Sequence, residues 1–146
     1  MFQRHPVQSG CCMFITTNTD QRRPVFRDPA CARIAVETLY NIQGYYPFFL
    51  FGFVIMHDHN HLLMRIPEGG SISKTIGSYK RAVAFAIGRG PIWQSRFHLI
   101  IPKNPFAILR YIHRNPVRKG FCNESQEYPW SSASGRWDVM SLGEEY

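Results

Sequence analysis

An unbroken apolar run from Phe48 to Met56 gives way at once to an alternating stretch, His59-Asn60-His61-Leu62-Leu63. The run is rich in aromatic and β-branched residues and is bounded by Pro47 and by His57-Asp58, a pattern that predicts a buried strand. With a turn at His57-Asp58, the run and the alternating stretch form a β-hairpin. Side chains in a strand alternate between faces, so His59 and His61 leave the second strand on the same side.

Around this hairpin the pattern changes period. Cys11 to Thr17 reads as a strand, and Asn18 to Asp28 as a basic, turn-rich connection. Asp28-Pro29 is an N-cap followed by proline at the first helical position. It opens a helix of roughly Ala30 to Gln43, with Cys31, Ala35, Leu39 and Ile42 on one stripe, ending at Gly44. Beyond the hairpin, Ser71 or Ser73 caps a second helix with Ile72, Ile76, Tyr79, Val83 and Ile87 inward. Trp93 to Ile101 is a fourth strand, and a last helix starts at Asn104-Pro105 and runs to Pro116. Met1 to Gly10 reads as a loose polar arm, and the tail is aromatic from Tyr128 and acidic at Glu144-Glu145.

The order strand, helix, two strands, helix, strand, helix predicts an α+β, ferredoxin-like fold: a split β-α-β antiparallel sheet with helices on one face and an extra C-terminal helix. The other sheet face would be open, with His59 and His61 pointing into it. At 146 residues and 17.0 kDa the chain is one domain, 1–146, with its core at about 11–133.

Composition removes several classes. Charged residues make up 18% and hydrophobic ones 45%, which argues against disorder. No apolar run reaches membrane-spanning length. Cys11, Cys12, Cys31 and Cys122 show no CxxC spacing and read as thiols of a cytoplasmic protein.

The net charge of +7 is unevenly spread. Ser71 to Gly120 contains Lys74, Lys80, Arg81, Arg89, Arg96, Lys103, Arg110, Arg114, Arg118 and Lys119 and not one Asp or Glu. A merely solvated surface mixes its signs, whereas phosphate backbones bind through displaced counterions to a one-sign surface. Lys74, Lys80, Arg81, Arg96, Arg110, Arg114, Arg118 and Lys119 are the expected DNA contacts.

Two imidazoles held together on a hairpin are two ligands of a metal site that needs a third. Asn115, on the last helix, offers an amide oxygen. Tyr111, four residues earlier, shares its helix face and would lie one turn from the metal. The same spacing suits a core aromatic followed by a helix-end asparagine, and Pro116 disfavours helical geometry at Asn115.

Several stretches carry a resemblance. MFITTNTDQRRPVF is similar to the opening strand and loop of the single-tyrosine HUH transposases, the insertion-sequence-200-like enzymes and their REP-associated relatives. VIMHDHNHLL resembles their V-V-M-P-N-H-V-H-L-L, whose two histidines fall on His59 and His61. IWQSRFH resembles L-W-Q-x-R-Y/F, ILRYIHRNPVRKGF resembles L-x-Y-I-x-x-N-P-V-R-A-G-L, and YPWSS follows in the expected place. The likeness runs from about Met13 to Ser132, with the motifs in order.

The resemblance implies a transposase that cuts and rejoins single-stranded DNA, recognised as a hairpin. Tyr111 would be the nucleophile, forming a 5′-phosphotyrosine link and freeing a 3′ hydroxyl. His59, His61 and Asn115 would hold magnesium or manganese; ligand softness favours manganese of the two. The family's insertion-sequence members are commonly dimers and some REP-associated relatives act as monomers, and a homodimer is the expectation for this chain. Two positions depart from the pattern. His57-Asp58 replaces the usual Pro-Asn turn, and Asn60 stands where a hydrophobic residue normally faces the core. A buried amide without a partner costs about 1–3 kcal/mol, so Asn60 raises the alternative of a decayed or domesticated copy that binds nucleic acid without cutting it. A histidine-metal hydrolase of small substrates would leave the acid-free basic half unexplained.

Overall fold

The structure, a computed structural model, describes residues 11–143; the arm Met1 to Gly10 and the acidic pair Glu144-Glu145 lie outside them. The chain order is β1 (Cys12–Thr19), α1 (Pro29–Gln43), β2 (Phe49–Ile55), β3 (His59–Arg65), α2 (Ile72–Ile87), β4 (Trp93–Ile100) and α3 (Pro105–Arg118). The four strands form one sheet in the order β2-β3-β1-β4, every neighbouring pair antiparallel. This is the ferredoxin-like arrangement that the alternation of elements predicts. The caps act as expected: Asp28 accepts from the Ala30 N–H, Ser71 from Lys74 and Asn104 from Ala107.

One face of the sheet packs on α1 and α2. Met13, Ile15, Leu62 and Met64 from the strands meet Ala35, Leu39, Ile76 and Val83 from the helices in the larger core. Asn60 points into this layer and is completely buried. Its Nδ2 donates to the Tyr79 hydroxyl at 2.9 Å, and that hydroxyl donates to the Ala35 carbonyl at 2.9 Å. The polar intruder is therefore held between two helices, and only its Oδ1 lacks a partner. Asn60→Val should raise unfolding stability by about 1 kcal/mol, because it removes an orphaned acceptor while Tyr79 keeps its bond to Ala35. Urea unfolding checks this, and a loss of stability would mean that the Asn60–Tyr79 bond outweighs the unpaired oxygen.

The opposite face is not open as expected. α3 roofs it over β2 and β3, and Ile108, Leu109 and Ile112 pack with Phe14, Phe51, Val54 and Leu63 in a second core. Gly52 makes the approach close: a Cβ there would collide with Leu109 Cδ1. The segment after α3 then ties it down. The Tyr128 hydroxyl donates to the Ile55 carbonyl at 2.7 Å, and Ser132 Oγ joins His113 Nε2 (2.8 Å) to the Phe53 N–H (3.0 Å). The YPWSS stretch is thus a fastener between the last helix and the outer strand. α3 also continues through Pro116 to Arg118, so Asn115 stands inside the helix rather than at its end.

Candidate active site

β3 puts His59 and His61 on the face beneath α3, both nearly buried, with ring centroids 4.6 Å apart. Each imidazole is anchored through Nδ1. Asp58 Oδ1 lies 2.7 Å from His59 Nδ1, and the Thr16 hydroxyl lies 2.9 Å from His61 Nδ1 across the β1–β3 pairing. A carboxylate accepting from Nδ1–H fixes the proton there and leaves Nε2 with its lone pair. Arg22 secures Asp58 in turn at 3.2 Å. Gln21 and Arg22 reach this position with φ of 55° and 54°, a left-handed backbone that costs side-chain-bearing residues on the order of 1 kcal/mol or more each.

Electrostatics keeps both rings neutral. Burial pushes His61 down to about 3, and the charges of Arg118 and Arg22, with any proton on His59, act in the same direction. Burial also lowers His59, against the upward pull of Asp58. Burial alone would raise Asp58, but the bonds from His59 and Arg22 outweigh it and hold the carboxyl below its usual range. Neutral imidazoles beside a charged carboxylate are the ionisation states that metal ligation needs.

A pH dependence of stability follows. Folded His61 titrates below the ~6.5 of an unfolded histidine, so as pH falls the unfolded chain takes the proton first. Stability is full above about pH 6.5 and drains below it, by about 2 kcal/mol for His61 between pH 7.5 and 5. Urea titrations in metal-free buffer should show that loss, and His61→Gln should reduce it by about the same amount. An equally steep loss in the variant would assign the pH dependence to other groups.

α3 supplies the rest. Tyr111, Asn115 and Arg118 share one helix face. The Tyr111 ring stands edge-on to His61 at 5.7 Å and to Phe14 at 6.2 Å, with the Arg118 guanidinium 4.4 Å over it. Tyr111 is 39% exposed, so it is not the core aromatic that its spacing also allowed. Asn115 is 3% exposed, and its Nδ2 has no hydrogen-bond partner among the described residues. The two ends of an amide are assigned by their partners, so this is one buried amide end in want of a ligand.

The donor set fits a divalent cation. Among the described residues no group of three or more His, Cys, Asp or Glu could hold a metal. A third protein ligand beside His59 and His61 would be an oxygen of another kind, and Asn115 is a residue that could offer one. Three side chains that the sequence pattern does not single out complete the site: Thr16, Arg22 and Asp58. Asp58 is visible in the histidine motif only as a turn residue. Thr16 is legible only once β1 is paired with β3.

The expected DNA cations do not form one surface. Arg110, Arg114, Arg118 and Lys119 lie on or just after α3 and all are exposed, and of these Arg118 and Lys119 act on the histidines. Lys74, Lys80 and Arg81 lie on α2, in the layer across the sheet, and Arg96 is exposed on β4. The Lys80 ammonium donates to the Gln94 carbonyl at 2.7 Å, and its half-buried position lowers its pKa. It holds α2 to β4.

Comparison with known proteins shows the family and the fold. The family described as IS200-like transposases matches residues 7–115. The chain is 25% identical over 135 residues to the REP-associated tyrosine transposase of Escherichia coli K12, spanning 90% of this chain and 81% of that one. It is 33% identical over 106 residues to a putative REP-associated tyrosine transposase of Haemophilus influenzae, 60% of each chain. A solved REP-associated tyrosine transposase, bound to a REP hairpin, has the same fold: TM-score 0.75 at 22% identity, over 100% of this chain and 93% of that one. A putative transposase from Deinococcus radiodurans R1 is similar at a TM-score of 0.55 and 18% identity, over 71% and 88%. With a family match over most of its length, a shared fold and a tyrosine held beside paired histidines, the chain belongs to the IS200-like transposases, enzymes that act on DNA.

Proposed function

We propose that this transposase cuts and rejoins single-stranded DNA through a covalent bond between Tyr111 and a 5′ phosphate. The observation that carries the proposal is the position of Tyr111: exposed, beside His61 of its own chain and under the Arg118 guanidinium. Attack by the phenolic oxygen forms an O–P bond to the scissile phosphorus and breaks the bond from phosphorus to the 3′ oxygen. The phenol gives up its proton, and the departing 3′ oxygen gains one. Because the phosphodiester energy is kept in the tyrosine ester, a 3′ hydroxyl can attack it in reverse and rejoin the strand.

The Nε2 atoms of His59 and His61 and the amide oxygen of Asn115 are the groups that would hold magnesium or manganese, which when bound supplies Lewis-acid polarisation of the phosphate oxygens. Asp58 and Thr16 orient the two rings for that task. Arg118 brings a fixed positive charge to where the phosphate meets the hydroxyl. The α3 cations Arg110, Arg114 and Lys119 continue that charge along the helix. The fold relative solved with a REP hairpin makes a DNA hairpin the first substrate to try.

Incubating the protein with single-stranded hairpin oligonucleotides and manganese should give a protein–DNA species that survives denaturation. Salt-dependent binding without such a species would favour the alternative of a nucleic-acid binder that does not cut. If the four cations at α3 each meet a phosphate, affinity for single-stranded DNA should fall about 50-fold between about 50 and 200 mM salt. Fluorescence anisotropy measures this, and a flat profile would leave those cations as a solvated surface. The homodimer implied by the family resemblance belongs to this reading as well, although a site with Tyr111 beside its own His61 does not need a partner to close. Sedimentation at twice the 17.0 kDa chain mass supports the dimer, and the mass of one chain excludes it.

A further inference from the structure

A cavity of about 380 Å³ opens beside the histidine pair, and its wall includes His59 but neither His61 nor Tyr111. Its size is within the range of about 300–1,000 Å³ usual for small-molecule sites. Three cations reach it from separate parts of the chain: Arg22 after β1, Arg27 before α1 and Lys119 after α3. Asp58 is the one carboxylate on the wall, and it is already engaged by His59 and Arg22. The rest of the wall is Pro24, Met56 and an aromatic pair. His57 and Phe121 stack with centroids 4.0 Å apart and planes 14° from parallel, and Phe121 stays 39% exposed.

Cations grouped around an exposed aromatic step match the two parts of a nucleotide, an anionic phosphate and a flat base that stacks on rings. An anion site alone has no use for an exposed phenylalanine. The direction of the chemistry says which nucleotide belongs here. In phosphoryl transfer the attacking and leaving oxygens lie roughly in line through phosphorus. The ring contacts run from Tyr111 to His61 and from His61 to His59, and the cavity follows His59. With Tyr111 attacking from one end, the 3′ oxygen departs towards the other.

We propose that this cavity holds the nucleotide on the 5′ side of the scissile phosphate, the one whose 3′ oxygen is the leaving group. Its own 5′ phosphate lies among Arg22, Arg27 and Lys119, and its base lies against the His57–Phe121 step. The inference rests on the tyrosine-transfer reading and adds a subsite for the leaving strand to it. His57 then acquires a use. A ring at this turn position, where the family pattern has proline, extends the stacking surface.

A deoxynucleoside 5′-monophosphate carries every part of that fragment: base, 5′ phosphate and free 3′ hydroxyl. Titrating the four monophosphates, and separately inorganic phosphate, into the full chain by NMR should shift His57, Arg27 and Phe121 saturably. At least one nucleotide should bind at least about tenfold tighter than inorganic phosphate. Phe121→Ala should erase most of that preference, whereas Arg27→Ala should weaken nucleotide and inorganic phosphate alike. Tyr111→Phe should change neither. Shifts that map elsewhere, equal affinity for nucleotides and inorganic phosphate, or full nucleotide affinity in both cavity variants would overturn the assignment. A chain that forms the covalent adduct yet binds no nucleotide here defeats this inference alone. Nucleotide binding at the cavity without any adduct defeats the cleavage reading and leaves the cavity as a nucleotide site.

Discussion

Tyr111→Phe should abolish strand cleavage and the covalent adduct together, while DNA and metal binding persist. The substitution removes one oxygen and keeps the ring that stands against Phe14 and His61 under Arg118. Packing on α3 should therefore change by only a few tenths of a kcal/mol, as is usual away from buried features. Rate is another matter, because loss of the nucleophilic atom removes the step itself, and an effect of at least about 10⁴-fold is expected. Three other tyrosines are poorly placed to substitute. Tyr79 is 1% exposed and bonded to Ala35, and the Tyr128 hydroxyl is committed to Ile55. Tyr40 donates to the Asp138 carbonyl at 2.6 Å, and burial pushes its pKa up to about 12. Gel analysis of denatured reactions reads the outcome, and cleavage at the wild-type rate in the variant would remove Tyr111 from its role.

The second large effect is expected at the histidines. His59→Ala or His61→Ala should each lower manganese affinity by at least about 100-fold, since either change leaves one imidazole where two are needed. Both rings are nearly buried and neutral, so truncation also opens a small space, at a stability cost of about 1–3 kcal/mol. Asp58→Asn should fall between these variants and the wild type. It keeps an oxygen within reach of His59 Nδ1 but removes the charge that fixes the tautomer, and changes of this kind cost about 10–100-fold in metal affinity. Calorimetry with manganese measures all three, and undiminished affinity in both alanine variants would show that the ion binds elsewhere.

Much of this architecture is legible in the chain because its signals are local. The period-two pattern of β3 is enough to put His59 and His61 on one face. Asp28-Pro29, Ser71 and Asn104-Pro105 mark helix starts by chemistry that acts within three residues. What could not be read depends on contacts distant in sequence. The apolar stripe of α3 says that it covers something, but not which face of the sheet. That choice is made by Gly52, which lets Leu109 come close, and by Ser132, which ties His113 to Phe53.

Asn60 looked like a defect because its partner, Tyr79, lies 19 residues on and was already assigned to the inner stripe of a helix. The hold of Lys80 on the β4 carbonyls is likewise invisible to a charge count, which takes no account of the strand that receives its ammonium. The site shows the same division. The histidines stand out as a motif. The groups that orient them, Thr16 on a neighbouring strand and Arg22 in a strained turn, become visible only when the sheet is assembled.

Strand transfer through Tyr111 requires one bond, between its hydroxyl oxygen and a DNA 5′ phosphate. The direct measurement is peptide mapping by mass spectrometry after the protein has reacted with a single-stranded hairpin oligonucleotide and manganese and the DNA has been digested away. A nucleotide remnant is expected on the peptide that contains Tyr111, attached through its phosphate, and none in the Tyr111→Phe protein. A remnant on any other residue, or folded and DNA-bound protein that carries none, would contradict transfer through Tyr111.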